Sequence, residues 1–513
     1  MMEHTVAQLR GQMDADTLDA EELVEWSLTR IHELDGHLNA MIEHNPDAAS
    51  IAQAADTTRR DGGATGLLHG IPVILKDNIA TKDRMQTTAG SLAMVDGVPN
   101  RDAFIVERLR KAGAVILGKA NLSEWANIRS RYSVSGWSGR GGQTVNPYQV
   151  DRNPSGSSSG SGVAVAASYA PVAVGTETNG SIVSPSGANG IVGIKPTVGL
   201  VSRSGIIPIS HFQDTAGPMA TCVADAAALL TVIAGDDPTD PAQTQTGDVV
   251  GPAYPTRPRD WTPGIDYTRF LDADGLKGAR IGVLRPDSSD RPPVDALYAT
   301  ALAALRDAGA ELVDGLELAH AKELGSSPSI LHVMLWDLKT DLANYLREYV
   351  DPAFPIQSLA DVIAFNREHA DQELPWFGQD LFEMAAITGE LDDPEYIRMV
   401  TDVQRWGRAE GIDALLREHT LDALVAPTNL PAAKIDLVNG DRGSGGSSTA
   451  SAVAGYPIVT VPSGYVAGLP VGLSFMGTAY AEPTLIRLAY AYERATQVRR
   501  EPTYADPGIL PPG

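Results

Sequence analysis

Residues 156–200 read GSSSGSGVAVAASYAPVAVGTETNGSIVSPSGANGIVGIKPTVGL, and this stretch limits the possible folds more than any other part of the chain. A flexible Gly/Ser linker has no reason to run straight into an apolar helix and strand and then repeat its small residues at TNGS. Two Gly/Ser-rich turns, around Ser157 and Ser181, therefore flank an apolar helix and strand that fold back and bring the turns together. Small residues let backbones approach closely. Gly160 and Gly162 open the helix, where free amides accumulate positive potential. The turn Thr178, Asn179, Gly180, Ser181 aims successive N–H groups at one point, an arrangement suited to a developing oxyanion.

The flanking sequence places these turns in an α/β protein. In AFIVERLRKAGAVILGKANLSEWA a helix stops at Gly113 and a strand follows from Ala114 to Leu117. The order strand, helix to Gly309, strand recurs from ARIGVLRP to AELVDG, the composition of a right-handed βαβ unit. GIPVILKDNIA reads as a buried strand that ends at Lys76 before the polar turn Asp77–Asn78. The segment DAEELVEWSLTRIHEL opens on Asp19 and has Glu22 three residues on, a capping box before an amphipathic helix. Residues 236–278 are rich in Pro, Asp, Thr and Gly and are expected to form a long surface loop. Residues 319–418 are expected to be a helical cap, after which LDALVAP, YPIVTVPSG and LPVGLSFMG return to strands and EPTLIRLAYAYERAT closes with a helix. With no tandem repeat, residues 1–513 are expected to form one domain around a large mixed sheet.

Composition excludes several functions. The chain has 513 residues and a formal net charge of −24, and its pI is about 4.7. That charge repels phosphate backbones and anionic lipid surfaces, so neither nucleic acid nor membrane is an expected partner. The one cysteine, Cys222, allows no intrachain disulfide and no thiolate metal cluster, and core packing is its expected role. No run of about 18 apolar residues is present, and a reducing cytoplasm is the expected location.

Three nucleophile arrangements compete. Gly156 to Gly160 matches G-x-S-x-G and would make Ser158 an esterase nucleophile, but the approach NPYQVDRNP carries two prolines and no strand. His211 and Asp214 could complete a Ser-His-Asp set, although nothing in ISHFQD marks His211 beyond ordinary packing. The third arrangement comes from a resemblance. The pieces GSSSGSG, GTETNGSI, GIVGIKPT and DTAGP (Asp214 to Pro218), with LLHGIPVILKDNI, TTAGS and GAVILGKANLSEWAN upstream and VPSGYVAGLPVGLSFMG downstream, resemble the amidase signature family over nearly the whole chain. SGWSGRGGQTVNP and GTETNGSIVSPSGANG look most like its bacterial peptide amidases.

The resemblance implies the amidase signature fold and a Ser-cisSer-Lys triad carried by Ser181 as nucleophile, Ser157 as proton relay and Lys76 as base. It also implies an oxyanion hole from Thr178, Asn179, Gly180 and Ser181. A serine hydroxyl needs a base to take its proton, and a buried lysine can be neutral near pH 7 because desolvation disfavours the ammonium. The implied reaction cleaves a carboxamide to carboxylate and ammonia through an acyl-enzyme, without metal or organic cofactor. C-terminal peptide amides are the expected substrates, and the implied assembly is a monomer or homodimer. Aryl or fatty amides, or a glutamine amidotransferase component needing partner chains, are the alternatives. Asn179 replaces the Gly common in the family and the acidic residue of peptide-amidase-like members, while Val183 replaces a common Arg. Lys195 in GIKPT is expected to be structural.

Overall fold

The computed structural model describes residues 4–63, 66–244, 252–258, 261–262, 264–285, 291–441 and 446–505. Its strands are β1 (Met41–His44), β2 (Pro72–Lys76), β3 (Val115–Ala120), β4 (Trp137–Ser138), β5 (Gly142–Gln143), β6 (Val172–Glu177), β7 (Val192–Lys195), β8 (Thr215–Ala220), β9 (Arg280–Leu284), β10 (Glu311–Leu316), β11 (Ala423–Pro427), β12 (Ile458–Val466) and β13 (Leu469–Met476). β4 and β5 pair with each other, and the other eleven form one sheet in the order β1-β3-β2-β6-β8-β7-β12-β13-β11-β9-β10. This is the large mixed sheet that the sequence leads one to expect.

Two parallel units flank an antiparallel centre. β2 runs parallel to both β3 and β6, and β9 runs parallel to both β10 and β11. Each predicted strand–helix–strand segment is one of these units. The helix Phe104–Lys111 crosses from β2 to β3, and the helix Pro292–Asp307 crosses from β9 to β10. Gly113 and Gly309 end those helices at φ +74° and +98°, backbone angles that L side chains rarely adopt. β2, β3, β6 and β8 are buried along their whole length, which explains their continuous rather than alternating apolar character. Asp19 and Glu22 form the anticipated capping box on the helix Ala20–Leu38.

The helix Ser159–Ala166 joins the first Gly/Ser turn to β6 and is buried at every residue. Its small side chains are a steric requirement. A Cβ on Gly160 would lie 2.2 Å from the Ala40 carbonyl oxygen and 2.4 Å from that of Asn121. The segment expected to be helical holds helices from Ala321–Ser326 through the long Pro328–Tyr349 to Asp413–Glu418.

Two expectations need correction. The 236–278 segment is not uniformly a surface loop, because it holds a helical turn at Pro241–Thr244, a 3-10 turn at Tyr267–Phe270 and the buried rings of Tyr254 and Tyr267. Its Pro/Asp-rich composition hides those anchors, and residues 245–251, 259–260 and 263 of it lie outside the described residues. Cys222 is half-buried at the N-cap of the helix Val223–Ile233 instead of packed in the core.

Candidate active site

β2 and β6 lie side by side, with Leu75 opposite Val174, so the end of β2 delivers Lys76 next to Thr176. Lys76 is fully buried. Its Nζ lies 2.8 Å from Ser157 Oγ, 2.8 Å from Thr176 Oγ1 and 3.2 Å from the Thr176 carbonyl. None of these partners is a carboxylate. Burial therefore dominates and pushes Lys76 down to about 7, against the weaker opposing pull of the Asp214 and Glu177 charges. Asn78 Nδ2 donates to Thr176 Oγ1 at 3.0 Å and fixes that hydroxyl from the other side.

The Gly156–Ser157 peptide is cis. Gly156 has no room for a side chain, since a Cβ there would sit 2.2 Å from Ser123 Oγ. The next residue, Ser158, is buried and committed to the backbone of β6. Its Oγ donates to the Thr176 carbonyl at 3.0 Å and accepts from the Thr176 N–H at 3.1 Å. A hydroxyl so engaged is a tether rather than a nucleophile, and the G-x-S-x-G match is fortuitous. The Ser158 N–H donates to the Ser181 carbonyl at 3.2 Å, which draws the second Gly/Ser turn against the first.

Ser181 is 8% exposed, and its Oγ makes no hydrogen bond among the described residues. Around it the N–H groups of Asn179, Gly180 and Ser181 likewise have no acceptor among the described residues. The loop is nevertheless held firmly. Glu177 Oε2 accepts from the N–H groups of Ile182 at 2.7 Å and Val183 at 3.0 Å, and Gly180 bends it at φ +83°. Thr178 Oγ1 donates to Asp214 at 2.6 Å, and Asn179 Oδ1 accepts from Ser448 at 2.7 Å. The structure thus brings Lys76 and Ser157 into direct contact and joins Ser181 to them through the Ser158 backbone.

His211 and Asp214 do not form a dyad. Asp214 accepts from Thr178 and from the backbone of Ile209 and Ser210, and burial pushes it up to about 6. His211 faces Asp341 on the cap helix Pro328–Tyr349, with Nδ1 2.9 Å from Oδ2. Asp337 completes that cluster and accepts from Ser210 and Tyr396. Lys195 is buried, with Nζ 3.1 Å from the Pro196 carbonyl, and burial lowers it to about 8. It bonds to neither Ser157 nor Ser181.

Sequence reasoning missed Thr176, Asn78 and Glu177. The strand alternation of VGTE would have set Thr176 beside Lys76 had the pairing of β2 with β6 been known. A polar cavity of about 250 Å³ adjoins the site and is lined by Asn127, Asn153, Ser155, Gly156, Asn179 and Asn429, among others. A second, of about 230 Å³, touches Thr176 and Thr178 on the side of the cap. Among the described residues no group of three or more His, Cys, Asp or Glu is placed to hold a metal ion, and no helix is long and apolar enough to cross a membrane.

The site thus holds a buried lysine bonded to one serine and a second serine, its hydroxyl unbonded among the described residues, in a loop of unpaired amides. The Amidase family model matches residues 22–486, and the chain belongs to that family of enzymes, which hydrolyse amide C–N bonds. It is 41% identical to a probable amidase of Arabidopsis thaliana, over 98% of this chain and 92% of that protein. The structure of native peptide amidase from Stenotrophomonas maltophilia superposes with a TM-score of 0.90 at 50% identity, covering 98% of this chain and 99% of the other. One component of the glutamyl-tRNA(Gln) amidotransferase of Chloroflexus aurantiacus is 34% identical, covering 96% of each.

Proposed function

We propose that the enzyme cleaves the C-terminal carboxamide of peptides through an acyl-enzyme on Ser181. Neutral Lys76 takes a proton from Ser157 as Ser157 takes one from Ser181, and Ser181 Oγ bonds to the carboxamide carbon. The negative oxygen that forms is held by the free amides of Asn179 to Ser181. Collapse breaks the C–N bond, and the proton held on Lys76 returns through Ser157 to the leaving nitrogen, which departs as ammonia. Water then attacks the ester with the same groups, releasing the carboxylate and restoring Ser181. One catalytic domain spanning the chain, working without a cofactor as a monomer or homodimer in the cytoplasm, completes the reading.

The observation that carries it is the contact of Lys76 Nζ with Ser157 Oγ at 2.8 Å, with no carboxylate bonded to the ammonium. The peptide assignment draws on two supports. One is the likeness to the Stenotrophomonas peptide amidase. The other is the cavity beside Gly156 and Asn179, whose wall of amide and hydroxyl side chains suits a peptide backbone and offers a fatty chain little apolar surface. The test is ammonia release by the purified chain alone from peptide amides, aryl amides and fatty amides. Turnover of peptide amides with internal bonds left intact is the expected result. The relation to the amidotransferase component favours a second reading, in which ammonia appears only from glutamine and only with partner chains present.

A further inference from the structure

Seven large apolar residues are exposed among the described residues, and three of them, Tyr132, Trp376 and Val438, belong to segments that meet beside the polar cavity. Tyr132 lies in the loop between Asn127 and Ser135, and both of those residues line the cavity. Val438 lies in the loop between Lys434 and Asp441, which line it as well. The two loops touch. A Cβ on Gly440 would sit 2.8 Å from the Tyr132 carbonyl oxygen, and the Ser135 N–H donates to Asp441 at 3.0 Å.

Trp376 comes from the cap. Its neighbour Phe377 packs edge-on against Trp137 at 5.1 Å and, with Val134, forms a small apolar cluster on which Ile435 and Leu437 also pack. The Arg129 guanidinium lies 4.3 Å from the Phe377 ring, and Ser130 donates to Asp380 at 2.6 Å, so the cap segment is fastened to the Tyr132 loop by two contacts just after Trp376. Three chain segments are thus locked together by buried contacts, yet each leaves one large apolar side chain in solvent: Tyr132 is 60% exposed, Trp376 45% and Val438 74%. Exposed apolar groups carried by segments that border a cleft are the kind of surface on which a ligand packs.

The occupant follows from size and polarity. About 250 Å³ is smaller than the roughly 300–1,000 Å³ of ordinary ligand pockets, so a peptide bound there soon outgrows it and continues past its mouth. We propose that Tyr132, Trp376 and Val438 form an apolar rim that binds the side chain of the next-to-last residue of the substrate, giving a preference for aliphatic or aromatic residues there. This rests on the peptide-amide reading above and adds the residues that select among such peptides.

The experiment compares kcat/KM for acetylated dipeptide amides that end in the same Ala-amide and carry Gly, Leu, Phe or Lys before it. Wild type should favour Phe and Leu over Gly by about tenfold, the scale of a modest apolar contact. The double variant Tyr132→Ala/Trp376→Ala should reduce that ratio to about twofold or less while leaving the Gly peptide rate within about twofold. Trp376→Phe should keep most of the preference, and Trp376→Glu should raise the Lys-to-Gly ratio. A wild-type ratio near one, or a ratio unchanged in a double variant whose melting temperature matches wild type, would overturn the rim. Failure to cleave any of the four peptides, alongside turnover of aryl or fatty amides, would instead sink the peptide reading on which the rim rests.

Discussion

Two polar clusters in this molecule shift a basic side chain in opposite directions. Lys76 is surrounded by two hydroxyls and a carbonyl and falls to about 7. Burial alone would pull His211 down too, but the charges of Asp337 and Asp341 outweigh it and raise the imidazole to about 9. Near pH 8 the lysine is therefore mostly neutral and the histidine mostly charged, the reverse of their order in water. The difference teaches that burial lowers a cation's pKa only while it outweighs the carboxylates nearby, as it does for Lys76 against Asp214 and Glu177 and does not for His211 against Asp337 and Asp341.

The strongest test of this contrast is the nucleophile. Ser181→Ala should lower kcat about 10⁴-fold or more, and a serine-directed label that marks wild type should fail to attach. Label found on Ser158 would show that the engaged hydroxyl is the reactive one. Next comes the base itself. Lys76→Ala and Lys76→Arg should both lose about 10²- to 10⁴-fold, because arginine keeps the charge but cannot give up its proton. Folding of both would be checked by melting temperature, and an arginine variant far more active than the alanine one would reduce Lys76 to a structural cation.

The pH profile sharpens the same point. Lys76 must lose its proton to act, so kcat/KM should rise about tenfold per unit on the acid side of about 7 and level off above it. A rise centred instead near 9, where His211 titrates, would shift the role to the histidine cluster. A smaller effect is expected at Asn179, whose side chain ties the loop to Ser448 and Thr449 and lines the polar cavity. Asn179→Gly should cost less than about tenfold in kcat, whereas loss of a true oxyanion donor costs about 100- to 1000-fold.

The smallest effect on rate belongs to His211→Gln, expected within about threefold of wild type. Its signature is thermal. Burial raises Asp337 to about 7 while the paired charges raise His211 to about 9, so the two are charged together between those values and their ion pairing is lost as the pH passes about 9. The melting-temperature gap between wild type and His211→Gln should therefore narrow across that interval. A gap that stays constant or widens would remove the paired-cation account.

The parallel units were legible because their signals are local. A helix-stopping glycine and a short apolar run both sit within about 20 residues, as at Gly113 and Gly309. The two serine turns were legible for the same reason. What stayed hidden depends on pairing between distant strands. Thr176 and Asn78 matter only because β6 lies beside β2, and no local pattern in VGTE announces that partner. The Asp337–Asp341–His211 cluster was missed likewise. Those aspartates stand a helical turn apart in WDLKTDL, one buried and one half-buried, and the imidazole that Asp341 meets comes from 130 positions away. The Lys76, Ser157 and Ser181 arrangement came from the resemblance, since local reasoning offered only the Ser158 elbow and the Ser-His-Asp set.

The sheet order has a consequence for synthesis. β7 sits in the middle of the sheet between β8 and β12, yet about half the chain separates β7 from β12. At about 5–20 residues per second the ribosome needs tens of seconds to deliver that partner. Throughout that interval the nascent N-terminal half, with the serine turns already made, carries an unpaired apolar strand at its growing edge. A chain interrupted before Ile458 cannot close the sheet, and its fate rests with chaperones and proteases, since an open edge of this kind invites pairing with other chains.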